Sequence, residues 1–168
     1  RVDTAVDSQL EERALNTGSD ISSLVGKAAI ANAKLAYRDF KNDFSGSRFA
    51  SLRSKGAKVQ RPLWASTSTK NPAYSDVMYD ESLIGRDTVD TVPEPTLTAI
   101  LDHARAANTL GQGIQEAEEL FSSLSRIDIN MDDVTSRLLT DGVKLFVDSF
   151  NGLMANIESK RKLFLNRD

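Results

Sequence analysis

Residues 58–65, Lys58-Val59-Gln60-Arg61-Pro62-Leu63-Trp64-Ala65, and residues 66–72, Ser66-Thr67-Ser68-Thr69-Lys70-Asn71-Pro72, decide the fold class. The first stretch reads as a strand, because Val59, Leu63, Trp64 and Ala65 lie in a short apolar run. Pro62 carries no amide, so it fits an edge position or one where the ladder needs no donor. The second stretch is polar and turn-like. Residues 73–85 connect to a second expected strand, Asp87–Val92 (DTVDTV). Thr91 and Glu94 then have capping-box spacing, with Pro93 in the first turn, which predicts a helix from about residue 92 to about 107.

Working outward, the segment upstream is helical. Ile30, Ala33, Tyr37, Phe40 and Phe44 recur at spacings of three and four, which makes one apolar stripe. Ala28, Ala29, Ala31 and Ala36 add helix propensity. Phe44-Ser45-Gly46-Ser47 stops this helix, with Gly46 free to take a positive φ. A short helix follows over about 47–55, ending at Gly56. Residues 5–25 are polar and contain a loop signal, Asn16-Thr17-Gly18-Ser19-Asp20.

Downstream, Ile114, Ala117, Leu120, Phe121 and Leu124 form an amphipathic stripe. Asn130 with Asp133 is placed to cap a further helix. Its apolar side is marked by Val134, Leu138, Phe146, Phe150, Leu153 and Ile157, and Gly142 is expected to interrupt it. Lys160-Arg161-Lys162 complements a helix C-terminus. Two strands alone do not make a stable sheet. Strand and helix in alternation suggest βα units, which bury both faces of a parallel sheet. The chain therefore reads as α/β, part of a sheet whose other strands lie elsewhere.

Composition narrows the function. Among 168 residues, 40% are hydrophobic and 27% charged, the mixture of a globular domain, and the net charge is −3. A broad grip on nucleic acid needs a basic face, so no nucleic-acid partner is expected. Cysteine is absent, which excludes a disulfide framework, a thiolate metal site and a cysteine nucleophile. No apolar run approaches the roughly 18 residues of a membrane span, and no secretory signal is visible. No membrane partner is expected, and the location is expected to be cytoplasmic. The first residue is Arg1, not Met, so the chain is expected to begin inside a longer protein.

The best candidate for chemistry is Ser66–Asn71. Hydroxyls, backbone amides and one ammonium at the C-terminal end of a strand suit an anion. In (β/α) barrels the phosphate site often lies in the loops after strands 7 and 8. The alternative is a solvated turn with capping hydroxyls. His103, the one histidine, has no histidine or cysteine near it in the helical pattern and reads as structural or exposed. Trp64 reads as packing. Asp128, Asp132 and Asp133 lack a calcium-loop pattern and read as capping and solvated charge. Lys160–Lys162 reads as a solvated helix end, and Lys27 and Arg61 as framework. No metal site is expected.

The segment Gln60–Asp76 (QRPLWASTSTKNPAYSD) closely resembles the strand-7 region of the long-type transaldolases of bacteria and plants. So do Gly26–Lys34 (GKAAIANAK) and Leu83-Ile84-Gly85 followed by Asp87-Thr88-Val89. Arg1-Val2-Asp3-Thr4 is similar to the residues after strand 6. The match runs in order over most of residues 1–103 and loosens through the C-terminal helices. The resemblance implies the C-terminal part of a (β/α)8 barrel, with strands 7 and 8 over about residues 1–107 and C-terminal helices over about 108–168.

It further implies that Arg1, Ser68 and Lys70 bind the substrate phosphate. Lys70 stands where shorter relatives have arginine, and a lysine offers a point charge rather than a bidentate fork. The family's Schiff-base lysine and proton-moving carboxylates lie upstream of Arg1, so no catalytic residue is expected in this chain. The implied reaction moves a dihydroxyacetone unit from sedoheptulose 7-phosphate to glyceraldehyde 3-phosphate in the pentose phosphate pathway. No cofactor is implied, because the lysine itself forms the iminium. The implied partners are sugar phosphates and the upstream part of the same polypeptide.

Arg86, Asp90, Val92 and Ala104 depart from the family pattern, which has proline, asparagine, methionine and glycine there. An acidic Asp90 at the end of strand 8 is expected to weaken a nearby phosphate site. Two other readings compete: a non-catalytic helical interaction fragment, and part of a transaldolase/glucose-6-phosphate isomerase fusion.

Overall fold

A computed structural model describes residues 1–18 and 20–165. Ser19, within the predicted loop signal, lies outside the described residues. The elements run α1 (Val2–Thr17), α2 (Ala28–Ser45), α3 (Ser47–Arg53), β1 (Leu63–Ala65), α4 (Met78–Ser82), β2 (Val89–Thr91), α5 (Glu94–His103), α6 (Ile114–Arg126) and α7 (Met131–Leu165). The chain is thus α/β, mostly helical, with two parallel strands. It forms two compact units, Arg1–Ile129 and a second that begins at Asn130.

Helix α1 replaces the expected polar stretch. Asp3, Val6, Asp7 and Leu10 are all buried and share one helical face. Half of that face is carboxylate, so a search for apolar periodicity passes over it. Gly18 ends the helix in the left-handed region at φ 68°, and its amide donates to the Ala14 carbonyl. Helix α2 forms as its stripe predicts. Ala33 and Tyr37 are buried with Leu83 and Leu110, and Ile30, Phe40 and Trp64 pack against that cluster. It also packs along α6, whose Ala117, Leu120 and Leu124 are buried. Gly46 ends α2 at φ −71°, not at the expected positive φ. Ser47 starts α3 at once, so the chain continues in extended geometry and needs no left-handed residue.

Both strands are shorter than expected. β1 keeps only Leu63–Ala65 of the predicted 58–65, and β2 only Val89–Thr91 of 87–92. They pair in parallel with Leu63 opposite Val89, Trp64 opposite Asp90 and Ala65 opposite Thr91. Pro62 uses its carbonyl to accept from the Val89 amide at 3.0 Å and needs no donor of its own. Asp87 takes φ 59°, which turns the chain just before β2. Leu63 is 54% exposed, unusual for a parallel strand, which is normally covered on both faces.

The capping box at Thr91 and Glu94 does not form. Pro93 occupies the N-cap, no side chain caps the helix, and Thr91 Oγ1 instead donates to the Trp64 carbonyl at 3.5 Å. Helix α5 ends at His103, short of the predicted 107. Helix α4 arises within the segment expected to be a connection.

In the second unit Asn130 caps α7 as predicted, its Oδ1 accepting from the Asp132 amide at 2.8 Å. Gly142 does not interrupt the helix, which runs unbroken from Met131 to Leu165. A single glycine weakens a helix by about 1 kcal/mol and does not break it.

Candidate functional site

The turn after β1 begins with a conformational constraint. Ser66 stands at φ 61°, a region that side chains other than glycine seldom occupy. This bends the chain at the C-terminal end of the strand, and Thr67, Ser68 and Lys70 follow in the turn. Thr67 is buried, Ser68 half-buried and Lys70 exposed. Lys70 Nζ donates to Ser68 Oγ at 3.0 Å. The hydroxyl accepts in that bond, so its own hydrogen stays available to a ligand.

Arg1 approaches from a different element, the N-cap of α1. The position of α1 is set by two buried carboxylates. Asp3 Oδ1 accepts from the Ala29 amide at 2.7 Å, and Asp3 Oδ2 from the Tyr79 hydroxyl at 2.6 Å. Asp7 Oδ1 accepts from the Gly26 amide at 2.9 Å, and Asp7 Oδ2 from the Tyr74 hydroxyl at 2.7 Å. Asp3 thereby caps the first turn of α2 from another helix, satisfying an amide that α2 cannot satisfy itself. Asp7 is held above the usual carboxylate range by burial, which outweighs the Gly26 and Tyr74 bonds. Burial, then the bond to Asp7, pushes the Tyr74 phenol up to about 12, so it remains a donor at every physiological pH.

Gly26 shows how tightly this corner is built. Its φ is 71°, and a Cβ there would lie 2.8 Å from the Tyr74 ring. Only glycine admits both the backbone conformation and the ring.

These elements enclose a cavity of about 450 Å³. Arg1, Ser68 and Lys70 all line it, with Asn32, Asn71 and Trp64 among its other walls. Two cations from separate elements, a free hydroxyl hydrogen and carboxamides give it the donors that a phosphate-sized anion needs. The Trp64 indole N–H, also in the wall, has no acceptor. A second cleft of about 370 Å³ between α2 and α6 mixes Lys27 and Lys34 with Glu116 and Glu119, and so has no net preference of charge.

The other candidates take ordinary roles. His103 is exposed and bridges Asp76 at 2.9 Å and Asp102 at 3.0 Å. Bonding to Asp76, then to Asp102, raises its pKa. Asp128 stands at φ 56° in the turn after α6, and its carbonyl accepts from Arg13 at 2.7 Å. Among the described residues no three His, Cys, Asp or Glu side chains converge as metal ligands would. No described helix is long and apolar enough to cross a membrane.

Sequence reasoning missed Asp3, Asp7, Tyr74 and Tyr79, the groups that position α1. The available signal was the spacing Asp3, Val6, Asp7, Leu10, helical in period but mixed in polarity.

Comparison with known proteins supplies the family. A model of the transaldolase/fructose-6-phosphate aldolase family matches residues 1–157. Transaldolase 2 of Nostoc sp. is 46% identical over 171 aligned positions, covering 97% of this chain and 45% of that protein. The transaldolase of Thiobacillus denitrificans is 44% identical, covering 94% and 43%. That of Mycolicibacterium smegmatis is 44% identical, covering 92% and 41%. The chain thus spans less than half the length of these curated relatives. At such identity along nearly its whole length, the chain belongs to the transaldolase/fructose-6-phosphate aldolase family.

Proposed function

We propose that this chain is the phosphate-binding portion of a transaldolase. One observation carries the reading: Arg1, distant in sequence from Ser68 and Lys70, lines a single cavity with them at the C-terminal end of β1. In this reading β1 and β2 are strands 7 and 8 of a (β/α)8 barrel, and the cavity lies at the face where such barrels place their sites. Lys70 and Arg1 supply charge, and Ser68 fixes orientation by donating the hydrogen that Lys70 leaves free.

The remaining staves and the Schiff-base lysine come from the upstream part of the same polypeptide. That lysine condenses with the ketose donor, releases an aldose, and passes a dihydroxyacetone unit to glyceraldehyde 3-phosphate. Such a lysine must be desolvated enough to be neutral. Lys70 does not suit that role, because it is exposed and bonded to a hydroxyl. The substrates are cytoplasmic sugar phosphates, which place the protein in the pentose phosphate pathway. Nothing in the mechanism calls on a cofactor.

The test is borohydride trapping on the full-length protein with a ketose phosphate. A covalent adduct on a lysine outside these 168 residues is expected, and no adduct overturns the assignment. Ser68→Ala and Lys70→Met should each raise KM about 10-fold or more with a smaller change in kcat, as loss of charge-assisted phosphate bonds predicts.

A second reading, a non-catalytic helical fragment, is favoured by the exposed apolar side chains of α7. It predicts that the chain alone melts cooperatively and binds no sugar phosphate.

A further inference from the structure

We propose that Asp80 and Asp90 hold one proton between them, and that this shared proton keeps the turn carrying Ser68 and Lys70 in place. The proposal takes from the preceding reading only what that turn binds. Its basis is a carboxyl group that the site does not otherwise use.

Asp80 lies in the short helix α4 and is 8% exposed, between the buried Val77 and Leu83. Both of its carboxylate oxygens are sealed from solvent, and neither has a hydrogen-bond partner in good geometry. An ionised carboxylate is not stable in such a place without compensation. Three polar groups lie close to it: the Asp90 carboxylate from β2, its own backbone amide, and the Thr67 hydroxyl from the turn after β1. Thr67 has one hydroxyl hydrogen, and it goes to Asp90 Oδ1 at 3.3 Å.

The neighbouring charged and phenolic groups are engaged elsewhere. Lys70 bonds Ser68, Glu81 accepts from the Arg105 amide at 2.7 Å, and Tyr79 bonds Asp3. The arrangement is satisfied when Asp80 is protonated and donates to Asp90, which also accepts from Thr67. Burial first, then the Asp90 charge, moves the Asp80 carboxyl up to about 6.

Thr67 sits between Ser66, at φ 61°, and Ser68. Its bond to Asp90 is therefore a tether on a constrained turn. When the shared proton leaves, two like charges face each other beside that tether, and the added negative charge also opposes an anion in the adjoining cavity. Both effects act in one direction: anion affinity falls as pH rises through about 6.

The experiment uses the full-length protein, with inorganic sulfate as probe because its charge is constant over the range. Sulfate affinity is measured from pH 5 to 8 beside the carboxyl and backbone-amide NMR signals of ¹³C,¹⁵N-labelled protein. A carboxyl titration near 6 is expected, with sulfate affinity falling about threefold or more across it. Asp80→Asn places a permanent donor against Asp90. It should abolish that titration, flatten the affinity profile and bind sulfate more tightly than the parent at pH 8. Asp90→Asn should let Asp80 ionise at lower pH.

A parent protein with no such carboxyl titration overturns the shared proton. A titration with a flat sulfate profile overturns the coupling to the turn, as does an Asp80→Asn profile that matches the parent. If sulfate binds at no pH, the anion-site reading fails separately. The Thr67 and Ser68 amide signals then decide: movement with the carboxyl titration supports the proposal, and indifference to it overturns it.

Discussion

Residues 1–129 and residues 131–165 are both rich in helix, yet among the described residues every buried apolar side chain except Val134 belongs to the first. In the first unit Val6, Leu10, Leu110 and Leu124 are completely buried. In α7, Phe146 is 83% and Phe150 62% exposed, and Leu153 and Ile157 are also exposed. Polar contacts divide the same way. Asp3 reaches Tyr79 and Asp7 reaches Tyr74, across 76 and 67 residues. The ion pairs of α7, Lys144 with Asp148 and Arg161 with Glu158, join neighbours on one helix. Helical periodicity specifies which side chains share a face, and a partner element has to supply the burial.

The largest expected effect tests that contrast directly. Leu124→Ala should destabilise the protein by about 2–5 kcal/mol in urea denaturation. Phe146→Ser should change the stability of the 168-residue chain by no more than about 0.5 kcal/mol. If the rest of the polypeptide covers α7, the same Phe146→Ser change in the full-length protein should cost well over about 1 kcal/mol, as core truncations do. Equal, negligible effects in both would mean that the α7 face has no partner, and the contrast would be permanent.

Next come the long-range carboxylates. Asp3→Ala leaves the half-buried Ala29 amide and Tyr79 hydroxyl without an acceptor, at about 1–2 kcal/mol for each. Asp148→Ala, which removes a pair within α7, should cost at most about 0.5 kcal/mol. Similar midpoints for the two variants would erase the distinction.

Gly26→Ala should cost about 1–2 kcal/mol from its left-handed backbone alone, with more from displacing Tyr74. Gly152→Ala meets nothing within 4 Å and should stabilise α7 by about 1 kcal/mol. Opposite signs for two glycine-to-alanine changes are the sharpest form of the comparison.

The smallest effect is electrostatic. The raised pKa of His103 means that its bridge to Asp76 contributes stability below the imidazole's unfolded value of about 6.5. That contribution is lost as pH rises through the folded value. Asp76→Asn should therefore lower the melting temperature slightly at pH 6 and leave it unchanged at pH 9. A difference that persists at pH 9 would show that the bridge acts without its charge.

Much of this molecule is legible without coordinates. The stripe Ile30–Phe44 specifies α2, and Ile114–Leu124 specifies α6, because each carries enough apolar residues at helical spacing to bury one side. Ser68 and Lys70 stand out because hydroxyls and an ammonium follow an apolar run directly. Helix α1 does not stand out, since its inward face is half carboxylate. The strands are shorter than their sequence suggests, because β-propensity extends beyond the few residues that have a pairing partner. The capping box at Thr91 was offered an alternative, the Trp64 carbonyl, by a neighbouring strand.

The sequence by itself determined the family, the α/β character and the residues suited to an anion, since each depends on local order and composition. Only the tertiary structure decided that Arg1 meets Ser68 and Lys70 across one cavity, that Asp3 caps a helix other than its own, and that Asp80 faces Asp90. The physical reason is that hydrogen bonds and burial are set by distance in space, and chain spacing limits that distance only over a few residues.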